Sequence, residues 1–169
     1  EGRGRDVLQP EFEIEDTGVF DRNRYIDVTA EYAKASPTDV VMRITVANRS
    51  GDDALLHVIP QLWFRNTWSW RQDAAKPGLR QSSESAIRIE GTHYGPRSFL
   101  VEGTPEFLFV ENETNTRRLY NHDNGARFVK DGINDYVVRG DVDAVNPRRT
   151  GTKASARYQF SLDPGESVV

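Results

Sequence analysis

The sequence of 169 residues contains no cysteine, a single methionine and three histidines. Lack of cysteine excludes disulfides, thiolate metal sites and cysteine nucleophiles together. It fits a reducing compartment, so a cytoplasmic location is the expectation. His57, His93 and His122 lie far apart without metal-ligand spacing, and no metal site is expected. His57 reads as a strand residue with a satisfied ring. No apolar run approaches the ~20 residues that cross a bilayer, which excludes a membrane helix. The net charge is −4 and the arginines are scattered. Without a basic block interleaved with aromatics, nucleic acid is not an expected partner. There is no G-x-S-x-G, no phosphate-binding glycine loop and no dinucleotide fingerprint, and no cofactor is expected.

What is present is alternation at period two. From Tyr25 to Ala33, from Val40 to Asn48 and from Ala154 to Leu162, apolar residues alternate with polar ones. Each run predicts an antiparallel strand with one buried and one wet face. Leu55 to Phe64 has apolar side chains on both faces and reads as a central strand covered on both sides, bulged at Pro60. Shorter strands are predicted at Ala86–Glu90, Ser98–Glu102 and Glu106–Val110, and an early one through Phe12 and Ile14. Gly- and Pro-containing turns separate them. Val129, Ile133, Tyr136 and Val137 fall at helical spacing, which predicts a short helix near Lys130–Val138, with Asp131 favouring its start and Gly140 ending it. The fold class is therefore mostly β, an antiparallel β-sandwich with one short helix. Residues 1–169 read as a single domain. The chain opens on Glu1 and closes as a strand begins after Pro164-Gly165, so it reads as a fragment of a larger multidomain protein.

Three segments carry candidate chemistry. Trp63-Phe64-Arg65-Asn66-Thr67-Trp68-Ser69-Trp70 holds all three tryptophans. Exposed indoles stack on sugar faces, with Arg and Asn bonding hydroxyls. The competing reading is a core or domain interface filled by large aromatics. Glu111-Asn112-Glu113-Thr114-Asn115 ends an apolar strand and reads as a polar loop that binds or caps, or as a solvated turn. Asn121-His122-Asp123-Asn124-Gly125 offers oxygen ligands but lacks the calcium-loop pattern, and reads as a turn. Asn48-Arg49-Ser50 and Asn112-Glu113-Thr114 match the glycosylation pattern, which is frequent by chance. No acidic pair stands in a motif specific enough to nominate as glycosidase carboxylates.

Several strings, in order along nearly the whole chain, resemble bacterial glucosidase-like proteins related to glycoside hydrolase family 63. They are Asp16-Thr17-Gly18-Val19-Phe20, Leu62 through Trp70, Glu111 through Asn115, Val129-Lys130-Asp131, Asp143-Ala144-Val145-Asn146-Pro147 and Gly151-Thr152-Lys153. The Trp-rich string is the most specific. The resemblance implies a supersandwich-type β domain of an inverting α-glucosidase, whose general acid and base sit on an (α/α)6 barrel. This chain resembles the sandwich alone, so no catalytic residue is assigned in it. Its partner would be the catalytic domain of the same polypeptide, with an oligosaccharide as a second candidate. Arg65, Asn66, Trp68 and Trp70 on one loop, and Glu111, Asn112, Glu113 and Asn115 on another, are the candidates for substrate contact or domain interface. Alternatives are an independent carbohydrate-binding module and a structural or protein-interaction sandwich. Alone, the chain is expected to form a homodimer through its exposed docking patch.

Overall fold

The computed structural model describes residues 6, 8, 10–71 and 73–169. It is mostly β, with antiparallel sheets and short helices. The strands are β1 (Ile26–Ser36), β2 (Asp39–Asn48), β3 (Ala54–Val58), β4 (Gln61–Trp63), β5 (Gly78–Ser83), β6 (Ala86–Glu90), β7 (Arg97–Leu100), β8 (Glu106–Val110), β9 (Thr150–Gly151), β10 (Lys153–Leu162) and β11 (Ser167–Val168). The helices are α1 (Thr116–Tyr120) and α2 (Gly132–Arg139). Two compact units divide the chain: residues 1–56 with 159–169, and residues 57–158.

In the first unit β1 and β2 form a long hairpin, and β11 adds to the far side of β2 in the order β1-β2-β11. Val46 and Ala47 are buried at its base. Asn48 is fully buried, and its side-chain amide donates to the carbonyls of Asp52, Leu162 and Asp163 at 2.8, 3.1 and 3.2 Å. That amide is therefore committed inside the fold rather than offered for glycosylation.

The second unit is a β-sandwich. One sheet has the order β7-β6-β5-β9. In the other, β10 lies between β4 and β8. Leu79, Ile87 and Ile89 of the first sheet pack on Phe107, Phe109, Ala154 and Ala156 of the second. The opposite face of β8 is also covered: Leu108 and Val110 pack with Ile133 and Val145, joined by Phe128, Tyr136 and Val137. Each fully buried Leu, Ile, Val or Phe among them contributes about 1.5–3 kcal/mol relative to exposure. The strand buried on both faces is thus β8. The Leu55–Phe64 segment, expected in that role, breaks between β3 and β4 at Ile59–Pro60, and Leu55 and Trp63 are exposed. Proline cannot continue the ladder, and here the Pro60 carbonyl accepts from the Ala156 N–H at 3.0 Å.

Two further departures have local causes. The expected strand through Phe12 and Ile14 is instead a 3₁₀ turn at Ile14–Thr17. There the Thr17 hydroxyl donates to the Ile14 carbonyl at 2.5 Å and Asp16 accepts from the Glu13 N–H at 2.9 Å, which favours the local turn. Helix α1 is an addition to the one helix expected. It is too short to show periodicity and depends on its caps, Asn115 at the start and left-handed Asn121 at the end. Helix α2 lies close to its predicted place and stops at Gly140, whose φ is 70°.

Two glycines permit close backbone approach. A Cβ at Gly151 would stand 2.3 Å from the Val110 carbonyl oxygen, and one at Gly132 would stand 2.2 Å from that of Ala144. Gly151→Ala and Gly132→Ala are therefore expected to cost at least about 1–3 kcal/mol in denaturant unfolding. Gly51→Ala, with nothing within 4 Å of the added atom, should stay within about 0.5 kcal/mol. Equal stability of all three variants would contradict the close approach.

Candidate functional site

Strands β4 and β8 flank β10 and both pair with Lys153, through Trp63 and Val110 respectively. Both run antiparallel to β10, so their continuations leave the same end of the sheet. The Trp-rich segment after β4 and the polar segment after β8 therefore arrive side by side, although 45 to 48 residues separate the hydrogen-bonded pairs they form.

Asparagines stitch the two segments together. The Asn66 amide donates to the Asn112 carbonyl at 2.9 Å, and the Asn112 amide donates to the Phe64 carbonyl at 2.8 Å. Thr152, buried at the head of β10, accepts from the Asn112 N–H at 2.7 Å and donates to Glu111 Oε2 at 2.8 Å. Trp68 Nε1 donates to Glu113 Oε1 at 3.4 Å. Lys76 spans both acids, with Nζ 3.1 Å from Glu111 Oε2 and 3.4 Å from Glu113 Oε1. Burial opposes the Lys76 charge, but hydrogen bonding and attraction from Glu111, then Glu113, prevail and raise its pKa.

Asn115 faces a different set of partners. It caps α1 by accepting from the Arg118 N–H at 3.1 Å, and its amide donates to Asp131 at 3.1 and 3.2 Å. Arg118 Nη1 also reaches Asp131, at 3.1 Å. The Asp131 carboxylate thus serves the loop as well as standing at the start of α2, where it makes no side-chain cap. Asn124 binds the Thr116 hydroxyl and the Arg117 N–H, so the Asn121–Gly125 stretch is a turn closed on α1. His57 Nδ1 accepts from Arg157 Nε at 3.0 Å, a partner that satisfies the strand histidine.

The eight sequence-nominated residues therefore divide into an inner and an outer group. Asn66, Glu111, Asn112, Glu113 and Asn115 direct their polar atoms into the fold, with Trp68 half-buried beside them. Arg65 and Trp70 point outward. Trp70 is 66 % exposed and the Arg65 guanidinium stands 5.2 Å from its ring centroid. Trp63 is also exposed. Beside this clamp opens a cleft of about 600 Å³ lined by Lys76, Arg80, Arg88, Glu90, Glu111 and Thr152. Lys76 and the cleft arginines carry no short-range signal in the sequence. Thr152 and Asp131, by contrast, lie within the strings that carry the family resemblance. Among the described residues no group of His, Cys, Asp or Glu is placed to hold a metal ion.

Chemically the arrangement is a clamp with an aromatic rim. A general acid must present a proton to a bound substrate, whereas both clamp carboxylates accept bonds from Lys76 and from Thr152 or Trp68 within the unit.

The chain is similar to a protein of Saccharomyces cerevisiae named "Uncharacterized protein YMR196W", with 35 % identity over 195 aligned positions. The match takes in 94 % of this chain, and the chain spans 18 % of that relative's length. No protein-family description and no solved structure matches the chain.

Lys76 gains its partners on folding, so its folded pKa lies above the ordinary 10.5. Its contribution is complete below that pH and is lost as pH rises through the folded value. With the side chain 47 % exposed, the contribution is at most about 1 kcal/mol. Lys76→Met should lower stability by that amount at pH 8, and the gap to wild type should close at pH well above 10.5. A gap that is absent at pH 8, or that persists unchanged into strong alkali, would contradict the clamp.

Proposed function

We propose that this chain is a non-catalytic β-sandwich domain of an α-glucosidase related to glycoside hydrolase family 63. It packs on an (α/α)6 catalytic domain of the same polypeptide and shapes one side of its sugar pocket. The parent performs inverting hydrolysis, with water as nucleophile and two carboxylates supplied from outside this chain. No cofactor enters that chemistry. The observation that carries the reading is the split between the inner and outer residues of the two loops. The loop acids Glu111 and Glu113 are tied up inside the unit by Lys76, while Trp63, Trp70 and Arg65 face outward as large side chains suited to an interface. The small share of the yeast relative's length that the chain spans is in keeping with one domain among several. The compartment proposed is the cytoplasm, in line with the absence of cysteine.

A carbohydrate-binding module is the second reading, favoured by the exposed Trp70 ring. Arg65 already stands over that ring, which favours a protein contact over an open sugar platform. Trp70→Ala in the full-length protein is expected to raise KM for α-linked gluco-oligosaccharides several-fold or to lower the melting temperature of the docked protein. Unchanged kinetics together with unchanged melting would remove the proposal. Saturable binding of such sugars by the 169-residue chain alone would move the assignment to the binding module.

A further inference from the structure

The β1–β2 hairpin has an open edge whose direction can be read from its hydrogen bonds. The Asn48 N–H donates to the Glu166 carbonyl at 2.9 Å and the Asn48 carbonyl accepts from Gly165 at 3.0 Å, both on the β11 side. The Arg49 N–H donates to the Tyr25 carbonyl at 3.1 Å, on the opposite side. In an antiparallel ladder each residue sends its N–H and C=O to one side, and successive residues alternate. Asn48, Val46, Ile44, Met42 and Val40 therefore face the β11 edge. Strand β11 pairs only with Ala47 and Val46. Among the described residues no strand lies opposite Ile44, Met42 and Val40 on that edge.

This edge lacks the devices that blunt edge strands. The stretch Val40-Val41-Met42-Arg43-Ile44-Thr45-Val46 contains no proline and no lysine, and its one charge, Arg43, is paired with Glu31 across the hairpin. Much of the apolar face of the hairpin is open as well: Val28, Tyr32 and Val40 are 65, 71 and 63 % exposed, while Met42 and Ile44 are half-buried and Val46 is buried at the base. Such a strand left open is a template for uncontrolled pairing.

We infer that this edge is the docking site of one occupant, the stretch of the same polypeptide that follows Val169 in a longer protein. It continues β11 antiparallel along β2 as far as Asp39. The inference rests on the reading above that the chain is one part of a longer polypeptide. Three observations carry it. Strand β11 is already in register, with Val168 opposite Val46. At that register about six further residues reach Asp39, and covalent attachment holds them at an effective concentration in the millimolar range. The relative is several times longer than the part this chain spans. The register also fixes a pattern: alternate residues of the continuation, opposite Ile44, Met42 and Val40, share the face of Val28 and Tyr32 and should be apolar.

Residue-resolved hydrogen exchange on the longer natural protein tests this. The amides of Val40, Met42 and Ile44 are expected to be slowed at least about 100-fold, alongside those of Val41, Arg43 and Thr45 that face β1. Fast exchange at the first three with protection at the last three would overturn the inference while leaving the longer polypeptide intact. As a second measurement, Ile44→Pro should lower the melting temperature of the longer protein, and an unchanged value would overturn it too. Protection of the edge in the 169-residue chain that rises with protein concentration would give the site to a second copy and refute the assignment. An intact mass showing that the natural protein ends at Val169 would remove both the multidomain reading and this inference.

Discussion

The second unit depends on one close approach, the backbone of Gly151 against that of Val110. A methyl group at Gly151 would fall inside the Val110 carbonyl. Because it is absent, the next residue reaches that same carbonyl, with Thr152 N–H donating to it at 3.1 Å. This places the Thr152 hydroxyl beneath Glu111 and Asn112 and starts β10 in register with both β4 and β8. The polar loop, the Trp-rich loop and the Lys76 bridge all follow from that position.

Strand β8 is the mechanical centre for the same reason. Its odd-numbered Phe107 and Phe109 fill the space between the sheets, while Leu108 and Val110 meet α2 and Val145. A strand with two dry faces fixes both its neighbours. One register slip would exchange the phenylalanines for Leu108 and Val110 on each face. The loop that leaves β8 starts from this doubly covered strand, and Glu111, Asn112 and Glu113 turn their polar atoms inward from it. Among the described residues of the first unit the hairpin has no such cover beyond its base, and Val28, Tyr32, Val40 and Val41 stay exposed.

The long strands are legible in the sequence through alternation of apolar and polar residues over nine positions, although the buried face expected of each is absent in β1, which is exposed along nearly its whole length, and is confined to the base of β2. Strands β1, β2 and β10 fall within one to three residues of the predicted runs. Strand β8 matches its predicted bounds. Its two-sided burial, however, is expected of Leu55–Phe64 instead, since mixed apolar faces do not tell covered from exposed. Leu55 and Trp63 are the exposed kind. Strand β5 escapes a reading by pattern because Gly78-Leu79-Arg80-Gln81-Ser82-Ser83 offers one buried apolar residue, Leu79, and takes its place through pairing with β6. At the site, local composition marks both loops as unusual. It does not reveal that they meet, since that depends on two distant strands sharing β10. Nor does it reveal Lys76, whose importance comes only from the two acids it bridges. Adjacency groups Asn115 with Glu111–Glu113, yet it faces α1 and Asp131.

The central claim is that the outward tryptophans are an interface of a larger protein. Hydroxyl-radical footprinting, read residue by residue by mass spectrometry, tests it most directly. It would compare Trp63 and Trp70 in the 169-residue chain with the same residues in the full-length protein. The account predicts strong oxidation of both in the short chain and protection of at least Trp70 in the long one. Equal oxidation of both tryptophans in the two proteins would contradict it.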